Sequence, residues 1–174
     1  LVVPDDLCAE MFYAANAQLA AAGYLRYEVS NYAQPQCECR HNLGYWTGVD
    51  YIGLGAGAHS FVRTAAREHV RTRNLPNPQA YMSRVENKQL AILSSERLDE
   101  NQQKLEFLFL RLRTSRGLDL GEYQQTFGTR LEALNRNYLH LLLEKKLAIL
   151  EEDRFSLTEG GILLLDEILS QLST

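Results

Sequence analysis

The sequence predicts a mixed α/β chain: a βα-barrel unit followed by a mostly helical, winged-helix-like domain. Three observations predict it. A helical pattern that begins at Asp5 runs directly into an alternating segment, Tyr24–Ser30, one face of which is charged. A barrel strand that presents polar side chains at its C-terminal mouth has this form. After Ser94 the chain turns to leucine-rich helical periodicity, and near its end two short apolar runs flank the polar turn Glu151-Glu152-Asp153-Arg154 ahead of one more helical stretch. Helices, a hairpin and a closing helix make the winged-helix-like pattern.

In chain order, Asp5 and Asp6 precede a helix with Leu7, Met11, Ala15 and Leu19 on one side, and Gly23 closes it as a C-cap residue does. The strand that follows alternates Leu25, Tyr27 and Val29 with Arg26, Glu28 and Ser30. Residues Asp50–His59 and His69–Arg73 are two further strand candidates, and Pro76–Pro78 opens a helix near Gln79–Asn87. Ser94-Ser95-Glu96 and Asp99 then cap a helix to about Arg113. Its Leu105, Leu108, Phe109 and Leu112 imply burial on most sides. Gly117 and Gly128 punctuate two shorter helical patterns, and Leu131, Leu134, Tyr138, Leu141 and Leu142 mark a helix over Thr129–Lys145. Leu147–Leu150 and Phe155–Leu157 form the hairpin, and a final helix runs from Thr158 to about Leu172. The expected organisation is residues 1–75 as barrel, 76–94 as a linker helix and 95–174 as the helical domain.

With 174 residues, 45% hydrophobic, the chain can bury a sizeable core. No run is long and apolar enough to span a bilayer, and three unevenly spaced cysteines make no disulfide framework, so a reducing cytoplasm is the expected setting. The opening LVVPDDL lacks a basic n-region and reads as the tail of a strand before a helix cap, which suggests a piece of a longer protein. Residues 1–94 hold 8 Lys+Arg and 8 Asp+Glu, and residues 95–174 hold 10 and 14, which accounts for the net charge of −4. Neither half has the basic excess of a nucleic-acid footprint. Arg63, Arg67, Arg71 and Arg73 read as a solvated face, with a phosphate patch as the competing reading.

The densest chemistry lies between Tyr27 and Ser60. Cys37, Cys39 and His41 could share a soft metal, yet no second ligand pair exists beyond Cys8 and His59, and ordinary thiols or a haem or redox role compete with zinc. His41-Asn42-Leu43-Gly44-Tyr45-Trp46 sets an axial-ligand candidate beside two flat rings, suited either to a porphyrin or to an aromatic plug. Gly53, Gly55 and Gly57, read as a strand, bare one face to a planar ligand or to bulky neighbours. The run fits G-x-G-x-x-A, but a dinucleotide site needs a helix starting inside the glycines and an acid about 20 residues on, where Arg71 and Arg73 stand.

The order YEVSNYA, RHNLGYW, YIGLGAGAHS resembles the radical-SAM proteins of the oxygen-independent coproporphyrinogen III oxidase (HemN) family, and within it the haem-chaperone (HemW) branch, whose HNxxYW signature His41–Trp46 reproduces. Asn74, Pro78 and Tyr81, the run Phe107–Gly128 and the LTEGGILLLDEIL ending extend the resemblance over nearly the whole chain. The resemblance implies a partial βα barrel carrying a [4Fe-4S] cluster and S-adenosyl-L-methionine, then a helical, winged-helix-like C-terminal domain, with this chain supplying the last elements of the barrel and that domain. It also implies that this chain lacks the cluster, because no Cys-x3-Cys-x2-Cys spacing occurs among Cys8, Cys37 and Cys39, and that the chain alone is inactive.

By the same resemblance, Gly55, Ala56, Gly57, Ala58 and His59 lie against the adenine of the cofactor. His41 is the leading haem candidate with Asn42, Tyr45 and Trp46 beside it, Glu28 and Arg40 orient the barrel mouth, and Cys39 is a further iron-ligand candidate. The implied function is binding haem and passing it to haem-accepting proteins. The alternatives are a coproporphyrinogen III oxidase and, from another class, a winged-helix nucleic-acid or protein-interaction module. Three acids at the wing tip argue against nucleic acid. Peripheral membrane association and homodimerisation stay open.

Overall fold

A computed structural model describes residues 4–64 and 68–172. Arg67 and the first three residues, named above, lie outside the described residues. The chain divides into two compact units: Leu1–Gly48 with Lys104–Thr174, and Val49–Gln103.

The first unit opens with helix α1, Asp5–Ala21, with acids in its first turn and Gly23 at φ 83° just past its end. The buried face is not the one expected. Leu7 and Met11 are exposed, whereas Phe12 packs against the core and Asn16 is buried. Asn16 wins the inward position because it has partners there: its Nδ2 donates to Glu159 Oε1 at 2.8 Å, and its Oδ1 accepts the Tyr32 hydroxyl. A satisfied polar side chain tolerates burial.

The segment expected as one barrel strand is instead a small antiparallel hairpin, β1 (Leu25–Arg26) against β2 (Tyr32–Ala33). Tyr27 donates its amide to the Asn31 carbonyl, closing the turn, and Ser115 donates its amide to the Tyr27 carbonyl at 3.1 Å. Glu28 does not lie on an exposed charged face but is 2% exposed, bridged to Thr114. Its carboxylate accepts the Ser30 amide at 2.9 Å, a local turn that competes with strand continuation. Helix α2, Arg40–Trp46, follows.

In the second unit, β3 (His59–Arg63) and β4 (His69–Asn74) pair antiparallel, helix α3 (Pro78–Glu86) starts on the Asn77 cap, and β5 (Ile92–Arg97) completes a sheet of order β3-β4-β5. Two expectations change here. Residues 53–58 are a turn ahead of β3 rather than the body of a strand, and Ser94–Glu96 belong to β5 rather than to a helix cap. Phe61, Ala91 and Leu98 are its buried apolar residues.

Helix α4, Glu100–Leu112, begins in the second unit and continues into the first. Leu108 and Leu112 are wholly buried, but Leu105 and Phe109 remain exposed, so burial is one-sided. After Gly117 come β6 (Leu118–Asp119), α5 (Leu120–Phe127), ended by Gly128 at φ 70°, and α6 (Leu131–Glu144). The hairpin β7 (Ala148–Glu151) with β8 (Arg154–Leu157) joins β6 in a sheet of order β6-β8-β7. The last helix is broken: α7 (Glu159–Leu163) and α8 (Leu165–Gln171) meet at Leu164. The core of this unit gathers Leu108, Leu112, Tyr123, Leu139, Phe155 and Ile168. All strand pairings among the described residues are antiparallel.

Candidate functional site

Helix α2 carries the His41–Trp46 motif. Its N-cap residue Cys39 makes no side-chain cap, and the helical spacing sets His41 and Tyr45 four apart on one face, ring centroids 5.0 Å apart and 81° between planes. Both side chains are exposed, as a ligand-facing pair must be. Asn42 turns the other way and donates to the Tyr27 hydroxyl at 3.3 Å, tying α2 to the hairpin. Trp46 is the anchor: Arg111 on α4 donates to its carbonyl at 2.9 Å, and Arg111 is held in turn by Glu122 at 2.7 Å and by the Phe107 ring 4.8 Å away. The Trp46 indole N–H is buried without a partner among the described residues.

Tyr27 also lines an open cleft of about 610 Å³, whose walls include none of the residues His41–Trp46. Tyr24, Tyr27, Tyr32 and Pro35 give it flat apolar walls, while Arg26, Glu38 and Glu159 supply polar edges. Its size lies in the range of small-molecule sites. The Tyr32–Asn16–Glu159 chain of hydrogen bonds stiffens one wall. None of the three tyrosines was singled out as a wall from sequence; only the hairpin, which folds Tyr32 back beside Tyr24 and Tyr27, reveals them. Arg40 starts α2 and is exposed. Glu28 is spent on a local turn and does not line this cleft.

The cysteines do not assemble. Cys8, Cys37 and Cys39 are all free and exposed, and no group of three His, Cys, Asp or Glu side chains among the described residues is placed to hold a metal ion.

In the second unit, Gly55 and Gly57 take φ of 106° and 72°, which explains the residue type. Gly53 has a different reason: a Cβ there would collide with the His59 carbonyl. Asn74 and Tyr81 clamp the loop. Asn74 Nδ2 donates to the carbonyls of Gly53 at 3.2 Å and Gly55 at 2.9 Å, and the Gly55 amide donates to the Tyr81 hydroxyl at 3.2 Å. Space beside Gly55 is open, and no helix begins within the glycines. Gly55–His59 belong to this unit and His41–Trp46 to the other.

Residues 98–164 match the HemN C-terminal domain. The chain is 34% identical over 168 residues to the haem chaperone HemW of Mycobacterium tuberculosis, covering 97% of this chain and 40% of that protein. It is 31% identical over 165 residues to HemW of Bacillus subtilis, covering 95% and 42%. Against HemW of Escherichia coli the identity is 43%, over 82 residues. Among solved structures, the radical-SAM enzyme coproporphyrinogen III oxidase (HemN) of Escherichia coli superposes with a TM-score of 0.68 at 18% identity, over 93% of this chain and 40% of that one. The chain thus spans about 40% of the length of the curated relatives it matches.

Proposed function

The chain is a HemW-like sequence that carries a HemN C-terminal domain, and from that premise we propose that it is the C-terminal portion of a cytoplasmic haem chaperone that binds haem and delivers it to haem-accepting proteins. The observation that carries this reading is the exposed His41–Tyr45 pair on α2, which does not line the aromatic-walled cleft. Imidazole is a suitable axial nitrogen for haem iron, and the flat Tyr45 ring suits the edge of a macrocycle. His41 is the proposed ligand, Tyr45 its edge-on neighbour, and Asn42 and Trp46 fix the helix that presents it. Arg40 and Glu28 are proposed as supporting residues, and Cys39, exposed at the helix cap, as an accessory ligand.

The [4Fe-4S] cluster and S-adenosyl-L-methionine are proposed for the full-length protein, with cluster ligands outside this chain. Here Gly55–His59 offer the side open for an adenine: the Cβ-free position of Gly55 has room beside it, and Asn74 and Tyr81 hold the loop in shape. Residues 1–75 are proposed as the end of a barrel, 76–94 as a linker and 95–174 as a winged-helix-like domain, supported by α5, α6 and the β6-β8-β7 sheet. The wing carries Glu151, Glu152 and Asp153, which favours protein rather than nucleic-acid contacts.

The test is haem absorbance after purification of the intact protein. His41→Ala is expected to lower haem retention, about tenfold or more for loss of an axial ligand worth at least about 1.4 kcal/mol. Unchanged retention would remove His41 from the site. Conversion of coproporphyrinogen III to protoporphyrinogen by the full-length protein would replace the chaperone reading with an oxidase.

A further inference from the structure

We propose that the pocket at the α7–α8 break is a docking site for an apolar peptide segment flanked by basic residues, as on a partner protein. The pocket, about 230 Å³, is walled by Val29, Arg113 and the turn from Ile162 to Glu167. That volume takes one large aliphatic side chain. Leu163 and Leu164 in its wall stand 40% and 42% exposed, and the Phe109 ring lies under the Arg113 guanidinium. Exposed apolar groups gathered at one place mark an interaction surface.

Arg113 decides what kind of segment fits. Its guanidinium lies over the Phe109 ring, 3.4 Å from the centroid, and one nitrogen donates to Asp166 at 3.1 Å. The other terminal nitrogen, Nη1, is buried out of reach of an occupant and without an acceptor among the described residues, so charge rather than this donor sets the preference. Asp166 already balances the Arg113 charge, and Glu167 beside it forms no ion pair among the described residues. The surroundings are therefore net acidic. A carboxylate-flanked occupant is repelled, whereas an apolar segment with a neighbouring Lys or Arg is complementary.

The surface lies wholly within one unit and does not depend on haem binding. The experiment measures fluorescence anisotropy of two labelled peptides, Ac-KLLAK-NH2 and Ac-ELLAE-NH2, titrated with the intact protein. The basic peptide is expected to bind about tenfold or more tightly than the acidic one. Leu164→Glu, at an exposed lip position that leaves the core alone, is expected to weaken it by a similar factor. It should leave haem absorbance unchanged, which separates this site from the haem site. Arg113→Gln, which leaves Asp166 uncompensated, is expected to widen the preference for the basic peptide, with circular dichroism checking that the fold survives. Equal affinity for the two peptides, no saturable binding below about 1 mM, or full binding by Leu164→Glu would overturn the proposal.

Discussion

Single residues in this chain act mostly through what they let the backbone do. Asn74 shows it best, because one amide group holds two carbonyls of the glycine loop across a separation of about twenty residues. Asn74→Ala removes the side-chain donor from both carbonyls, leaving Gly55 only the long Ala58 amide bond of 3.4 Å, and is expected to cost about 1–3 kcal/mol, read as earlier urea unfolding and faster proteolysis at Gly55. Asp50 acts through charge. Its carboxyl is held below the ordinary carboxylate range chiefly by the Arg63 amide, against a smaller opposing effect of burial, with the Arg63 side chain adding to the lowering. A depressed folded pKa means the stabilisation is present above the unfolded value, about 3.9, and disappears as pH falls through the folded value. The Arg63 amide resonance should therefore titrate with a midpoint below that of a free aspartate. A midpoint at or above the free value would remove this hydrogen bond as the cause. Asn74 and Tyr81 were legible in the sequence only as parts of a resemblance; their joint role as a clamp depends on a long-range approach that no local pattern encodes.

Elements were legible where a local signal had no competitor. Asp99 is the part of the expected cap that acts as one, Ser94–Glu96 lying in β5: its Oδ1 accepts the Gln102 amide at 2.8 Å while Gln102 Oε1 accepts the Asp99 amide at 2.8 Å. This reciprocal cap sets the start of α4. Asp99→Ala is expected to destabilise by about 0.5–2 kcal/mol, measured by chemical denaturation, while Asp99→Asn loses less. Helix α6 and the β7–β8 hairpin follow their sequence patterns closely for the same reason, with apolar spacing and a polar turn agreeing. Helix α1 was misread because it carries two overlapping stripes, and the one that faces inward contains a polar residue. Hydropathy alone favours Leu7 and Met11; the partners Tyr32 and Glu159, distant in sequence, favour Asn16. The same logic ended the predicted strands early. Glu28 satisfies a turn at Ser30, and positive φ at Gly55 and Gly57 bends the chain where alternation suggested extension.

At the scale of the molecule, the two units differ in how much apolar surface each removes from water. The first holds a continuous cluster from Leu108 through Leu172, in which Leu108, Leu112, Leu118 and Tyr123 have no exposure at all. Among the described residues, the second buries only Phe61, Ala91 and Leu98 of its apolar side chains, and leaves all six residues of β5 exposed along its length. Burial contributes about 25 cal/mol per Å², so the smaller core gives the lower opening free energy. Composition could not have revealed this, since apolar residues are frequent in both stretches and only packing separates those that meet from those that do not. Native-state hydrogen exchange is the direct check. Amides of β3, β4 and β5 are expected to exchange faster than those of α6 and the C-terminal half of α4 by about tenfold or more, as units of unequal stability do. Equal protection would mean that the two units open together as one cooperative body, and the small core of the second would then have to be supported by something other than its own packing.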